Sequence, residues 1–176
     1  MYLRCPAQYK FRYIDQIVVP PKSALTKGRC VHLGVEYNFQ QKIETFQDLA
    51  VGEVKEYTAA EFEKAAEETE WEQGEDKGAI KDETISLIEL YHTEVAPEVQ
   101  PVLVEEKVEV PLTDEYYLLG IIDVLDTENY IRDIKTTGRT PAKSAVENSL
   151  QLTVYSLAHR ELMGYEEAGV KLDYLV

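Results

Sequence analysis

Two apolar runs in the second half of the chain carry charge where a buried strand has no use for it. They are Gly120-Ile121-Ile122-Asp123 and, after a short polar break, Tyr130-Ile131-Arg132-Asp133-Ile134-Lys135-Thr136-Thr137. Alternate residues of a strand face opposite sides, so Asp133 and Lys135 share one face of the second run, while Asp123 sits among isoleucine, leucine and valine in the first. A lone carboxylate in apolar surroundings survives by pairing, by hydrogen bonding or by holding a metal. Two readings stay open at this point. One is an ion pair at a sheet end, Asp123–Lys135 or Asp133–Lys135. The other is a site for a hard divalent cation such as Mg²⁺, which takes one or two carboxylates and completes its shell with water and phosphate oxygens.

Periodicity supplies the surroundings. After Pro97 and Pro101, Val102, Val104, Val108, Val110 and Leu112 alternate onto one face of a strand, with Glu106 as the polar interruption. Thr113-Asp114-Glu115 turns the chain into a largely buried strand over 116–125, residues 126–129 turn it again, and 130–135 form a third strand, giving an antiparallel meander. Upstream, a short helix is expected over 5–14, with Pro6 in its first turn and bases set between aromatics. Ser23 is a cap for a helix over about 25–46 that turns Leu25, Val31, Val35 and Phe39 inward and sets His32 one turn from Glu36. Thr58 is the expected cap of a helix over 59–73 with Phe62, Ala65, Ala66 and Trp71 at helical intervals, and 81–95 repeats the pattern with Ile85, Ile88 and His92. Pro141 introduces a helix over 143–162 carrying Leu150, Val154 and Leu157, and 170–176 reads as a last strand.

A chain of 176 residues with 44% hydrophobic and 10% aromatic content suits one compact domain, 1–176. Its net charge of −15 argues, as a bulk number, against nucleic acid. The distribution answers that objection: residues 44–98 hold 17 acids against 4 Lys and Arg, whereas 1–43 hold 7 Lys and Arg against 2 acids. The acidic helical segment at about 44–98 then reads as a solvated face, and the positive amino-terminal part is free to meet phosphates. No apolar run reaches the length of a membrane span and Met1-Tyr2-Leu3-Arg4-Cys5-Pro6 lacks the apolar core of a secretory signal, so a cytoplasmic location without membrane attachment is expected. Two cysteines, Cys5 and Cys30, are too few for a disulfide framework or a four-cysteine metal site.

Four motifs, in order, resemble those of the PD-(D/E)XK nuclease superfamily, and within it the RecB-type nuclease domains that include CRISPR-associated exonucleases. They are a helical histidine, His32; Gly-x-x-Asp, Gly120 to Asp123; Asp-x-Lys, Asp133-Ile134-Lys135; and Gln-x-x-x-Tyr, Gln151 to Tyr155. Each is common alone; their order and placement make the resemblance specific. It implies an α/β restriction-endonuclease-like core, in which a central mixed sheet, the meander plus a strand after a crossover helix, is flanked by helices. It also implies a metal-dependent DNA nuclease, an exonuclease on single strands or duplex ends. By the same resemblance Asp123, Asp133 and Lys135 are catalytic, and His32, Asp123, Asp133 and the Ile134 carbonyl hold Mg²⁺ or Mn²⁺. Gln151 and Tyr155 steady the lysine or touch the DNA backbone.

Glu106, or Glu105 if a bulge shifts the register, is an additional carboxylate outside that set. Some relatives hold an iron–sulfur cluster with one amino-terminal and three carboxyl-terminal cysteines; no cysteine follows Cys30, so the cluster is not supported here. Expected partners are DNA and a helicase or another recombination, CRISPR or phage protein. The alternative function is a non-hydrolytic nucleic-acid-binding or regulatory module on the same fold. An intact set of acids and lysine favours hydrolysis, because binding alone has no need of it.

Overall fold

The computed structural model describes residues 5–111 and 113–176. Residues 1–4, on which part of the amino-terminal reading rests, and Leu112, the last position of the expected valine face, lie outside the described residues. Helix α1 (Pro6–Tyr9) runs into a π-helical turn (Lys10–Ile14) and is followed by α2 (Ser23–Thr45), α3 (Val51–Ala66) and α4 (Lys77–Glu94). Then come β1 (Pro101–Pro111), β2 (Tyr117–Asp126), β3 (Tyr130–Thr136), α5 (Leu150–Met163) and β4 (Gly169–Leu175). The sheet order is β1-β2-β3-β4. The first two pairings are antiparallel and β3–β4 is parallel, with α5 as the crossover that parallel neighbours require.

Helices cover both faces of the sheet. On one, Val31, Val35 and Phe39 of α2 and Ile88 and Tyr91 of α4 pack with Val124, Ile134 and Leu175. On the other, Leu152, Tyr155 and Ala158 of α5 pack with Val108, Ile122 and Ile131. This is the mixed, helix-flanked α/β architecture that the motif order implied. Arg132 ties three strands together from within: its Nε donates to Asp126 Oδ2 at 2.9 Å and its Nη1 lies 3.3 Å from Asp173 Oδ2.

The helices depart from the sequence reading in their starts and inward faces. Ser23 does not cap α2; its hydroxyl donates to Glu75. Leu25 is 60% exposed rather than inward, because the buried stripe of α2 starts through Ser23, Thr26 and Cys30 and leaves it to one side. Thr58 is buried inside α3, which starts at Val51 and stops at Ala66, leaving Trp71 to pack on Phe62 from outside the helix. Thr58 faces Gly34, where a Cβ would meet Thr58 Oγ1 and lie 2.8 Å from Ile88 Cγ1, so α2, α3 and α4 converge on that glycine. Helix α5 begins only at Leu150, where Ser149 accepts the Leu152 N–H. Its buried face is therefore Leu152, Tyr155, Ala158 and His159, with Leu150 and Leu157 outside. The first half of β2, expected to be largely buried, is mostly exposed.

Among the described residues no helix is long and apolar enough to cross a membrane.

Candidate functional site

The site assembles where α2 packs against β1 and β3, with β2 between them in the sheet. Gly28, one turn before His32, permits the close approach: a Cβ there would lie 3.1 Å from Thr136 Oγ1 at the end of β3. His32 thereby reaches Ile134, with Nε2 2.9 Å from the carbonyl oxygen, and its Nδ1 lies 2.8 Å from Glu105 Oε1 and 3.7 Å from Asp123 Oδ2. Glu36 takes no part in this; it accepts a hydrogen bond from Gln40. With an oxygen facing each nitrogen, the ring can donate from both only when protonated. Burial works against that charge, but the Glu105 hydrogen bond and the Asp123 and Glu105 charges outweigh it and raise the His32 pKa.

Asp123 is buried, and its Oδ2 accepts the Ile134 N–H at 2.7 Å. The side chain thus takes up a main-chain donor beyond the β2–β3 pairing, which runs over Val124↔Arg132 and Leu125↔Ile131. Burial pushes its pKa up to about 6; His32 and the Ile134 N–H oppose the rise, while Asp133 and Glu105 add to it.

The third carboxylate is Glu105. The alternating pattern of β1 puts Glu106 on the inner face, but the structure leaves Glu106 exposed and turns Glu105 to His32. The cause is local: Glu105 has a left-handed backbone (φ 49°), and the side-chain alternation inverts across it. Val104 on one side packs with the α2–α4 core, whereas Val108 and Val110 on the other pack with the α5 core. A non-glycine residue in this conformation costs on the order of 1 kcal/mol and persists where its surroundings over-determine it. Ligand atoms of His32, Glu105 and Asp123 all lie within 4.8 Å of one another.

Asp133 and Lys135 project to the same side of β3, as strand periodicity requires. Lys135 Nζ lies 2.8 Å from both Asp133 oxygens and donates to Oδ1; Oδ2 is buried and accepts no hydrogen bond among the described residues. Of the two ion pairs read from the sequence, the Asp133–Lys135 one is present, beside the histidine–acid trio and outside it. Lys135, His32, Glu105 and Ile134 line a cleft of 370 Å³ together with Gly28 and Arg29 of α2.

Gln151 and Tyr155 are joined on α5, Gln151 Nε2 donating to Tyr155 Oη at 2.6 Å. Gly120 earns its place by what it lacks: a Cβ there would lie 3.1 Å from Tyr155 Cε1. Burial pushes the Tyr155 pKa up to about 12, and the Asp123, Asp133 and Glu105 charges add to the rise against the Gln151 hydrogen bond. Two of the four motifs are thus one packing unit.

The donor set suits a divalent cation. It offers oxygen from carboxylates and from a carbonyl, and one imidazole, with the Asp133 carboxylate beside them. Cys5 and Cys30 are free thiols, and Cys30 is buried, which pushes its pKa up to about 11. The sequence reading passed over Gly28 and Gly34 and left Glu105 as an alternative. A glycine one turn before a helical histidine was the available signal for the first.

A family model of the PD-(D/E)XK nuclease superfamily matches residues 1–176. No curated protein and no solved structure matches the chain. The chain belongs to the PD-(D/E)XK nuclease superfamily, whose nucleases use divalent metals and act on nucleic acid.

Proposed function

We propose that this member of the superfamily is a RecB-type, Mg²⁺- or Mn²⁺-dependent deoxyribonuclease that works as an exonuclease on single strands or duplex ends. The observation that carries the reading is the convergence of His32, Glu105 and Asp123 within 4.8 Å beside the Asp133–Lys135 pair. Three acids gathered around one histidine and one lysine are poorly compensated without a further cation.

In this reading Asp123, Asp133, His32 and the Ile134 carbonyl hold the metal, with Glu105 as a further ligand. The bound ion would neutralise phosphate charge and make water acidic enough to attack near neutral pH. Lys135 meets negative charge that develops on the phosphate and orients the attacking water; its tether to Asp133 limits its wandering before substrate arrives. Tyr155, wedged beneath Gly120 and bonded to Gln151, backs the acids and limits water access from the α5 side. A helicase or another recombination, CRISPR or phage protein is the proposed source of processivity.

The test is product analysis on DNA labelled at the 5′ end, at the 3′ end or internally, with Mg²⁺, Mn²⁺ or chelator. Release of mononucleotides or short oligonucleotides from one end, abolished by chelator, is expected. Internal cuts in circular DNA would replace the exonuclease with an endonuclease.

A further inference from the structure

A second and larger cavity, 980 Å³, lies alongside the cleft and shares Ala24, Leu25 and Arg29 with it. Its outer wall is the amino-terminal arm: Phe11, Arg12, Ile17 and Val18 line it, and the inner wall is the start of α2. The arm does not exist to complete the core. Every residue from 6 to 20 is exposed, and Val18 is 91% exposed. A run of aromatic and aliphatic side chains held open to solvent beside an active-site cleft needs an occupant.

We infer that this groove is the track of a single-stranded polynucleotide, which passes between the arm and α2 and over Leu25 into the Lys135 cleft. The identification of that cleft as the hydrolytic site rests on the nuclease reading above; the groove's ligand does not. Three observations choose the occupant.

The first is charge. Arg12 and Arg29 face the groove with no ion-pair partner among the described residues, and Lys22 adds a third cation, held at 2.6 Å by Glu72; Glu68 is the one acid on the wall. Glu72, with Glu70 and Glu75 close by, offsets Lys22, so among the described residues Arg12 and Arg29 are the groove's two cations free of ion pairs, on a protein of net charge −15. The second is chemistry. Phe11 and the aliphatic wall reward unstacked bases, whose faces a duplex hides; aromatic platforms between cations are the general solution for single strands. The third is Leu25. It lies off the buried stripe of α2, is 60% exposed and lines both cavities, so a chain moving from one to the other must cross it.

The track is tested by fluorescence anisotropy in chelator, where nothing is cleaved, with an oligothymidylate of about 15 nucleotides and a blunt duplex of equal length. The single strand is expected to bind at least roughly tenfold tighter than the duplex. Phe11→Ala should weaken single-strand binding by about five- to a hundredfold. The Arg12→Ala, Arg29→Ala double variant should flatten the slope of log K against log salt by roughly 1.4. A bromouracil-substituted oligonucleotide, photo-cross-linked to the unaltered protein and mapped by mass spectrometry, should attach within residues 8–25 and gives an answer that no misfolded variant can distort.

Cross-links confined to other surfaces, equal affinity for duplex, or variants that bind like the parent would overturn the track; the last would leave the arm's apolar face as a surface for a protein partner. The two readings fail separately. Groove-dependent binding without metal-dependent cleavage would sink the nuclease, and cleavage that depends on Lys135 but not on Phe11, Arg12 or Arg29 would sink the track.

Discussion

Asp123→Asn separates a metal ligand from an ordinary buried polar group, because its expected effect on the metal-free protein is stabilising. Burial raises the Asp123 carboxyl to about 6 from the ordinary aspartate value of 3.8. An acid whose folded pKa lies above its unfolded one binds its proton more tightly when folded. Folding therefore bears no penalty from this group below about pH 4, accumulates one as the pH climbs from about 4 to 6, and bears all of it above about 6. Two pKa units correspond to about 3 kcal/mol. The asparagine amide removes that penalty and keeps an oxygen for the Ile134 N–H, but withdraws a charge that helps to hold the His32 proton. A net gain of about 2 kcal/mol remains, roughly 4–8 °C in Tm for a chain of this size. Metal reverses the comparison. At a free concentration about a hundred times Kd, a divalent cation stabilises the parent by about 2.7 kcal/mol, and the variant, short of a ligand, gains little. Differential scanning calorimetry at about pH 8 and about pH 4, with chelator and with Mn²⁺, compares both proteins under each of the four conditions. A variant that melts below the parent in chelator at the higher pH, or that keeps the parent's Mn²⁺ shift, would refute the reasoning.

Three further substitutions probe the parts around it. Glu105→Gln should keep the shape of the strand and weaken Mn²⁺ binding by about tenfold, or about 1.4 kcal/mol by titration calorimetry; unchanged affinity would return Glu105 to a purely structural role. Gly120→Ala presses a methyl group into the Tyr155 ring and should lower stability by about 1–3 kcal/mol in urea unfolding; a neutral result would mean that the ring has room to move. Arg132→Ala strands the buried Asp126 carboxylate and the half-buried Asp173 one and should cost about 3–5 kcal/mol, while Mn²⁺ affinity of the folded fraction stays as in the parent. Lost metal affinity in that variant would tie the strand network to the site.

The meander and the crossover are legible in the sequence because turn residues and alternation are local signals, and the four motifs name the strands that matter. Helix faces are less legible where packing partners decide them. Leu25 is as apolar as Val31, and only the arrangement of α3 and α4 says which of the two is covered. Ser149 outcompetes the signal of Pro141 for the start of α5 because its hydroxyl satisfies a real helix donor, while the stretch after Pro141 makes only a 3₁₀ turn at Lys143–Ala145. Glu105 escaped a period-two reading for a plain reason: alternation assumes uniform backbone, and one left-handed residue inverts it. The closeness of His32 to Ile134 depends on Gly28, whose value lies in empty space and leaves no mark on hydropathy.

The most direct test of the central claim is cleavage of end-labelled DNA by the parent and by Lys135→Ala, with Mn²⁺ affinity measured on the same two preparations. The account predicts that the parent cleaves only with divalent metal, and that Lys135→Ala still binds Mn²⁺ but loses cleavage by about a hundredfold or more, as removal of a group that meets transition-state charge does. A Lys135→Ala protein that cleaves like the parent, or a parent that cleaves equally in chelator, would contradict it.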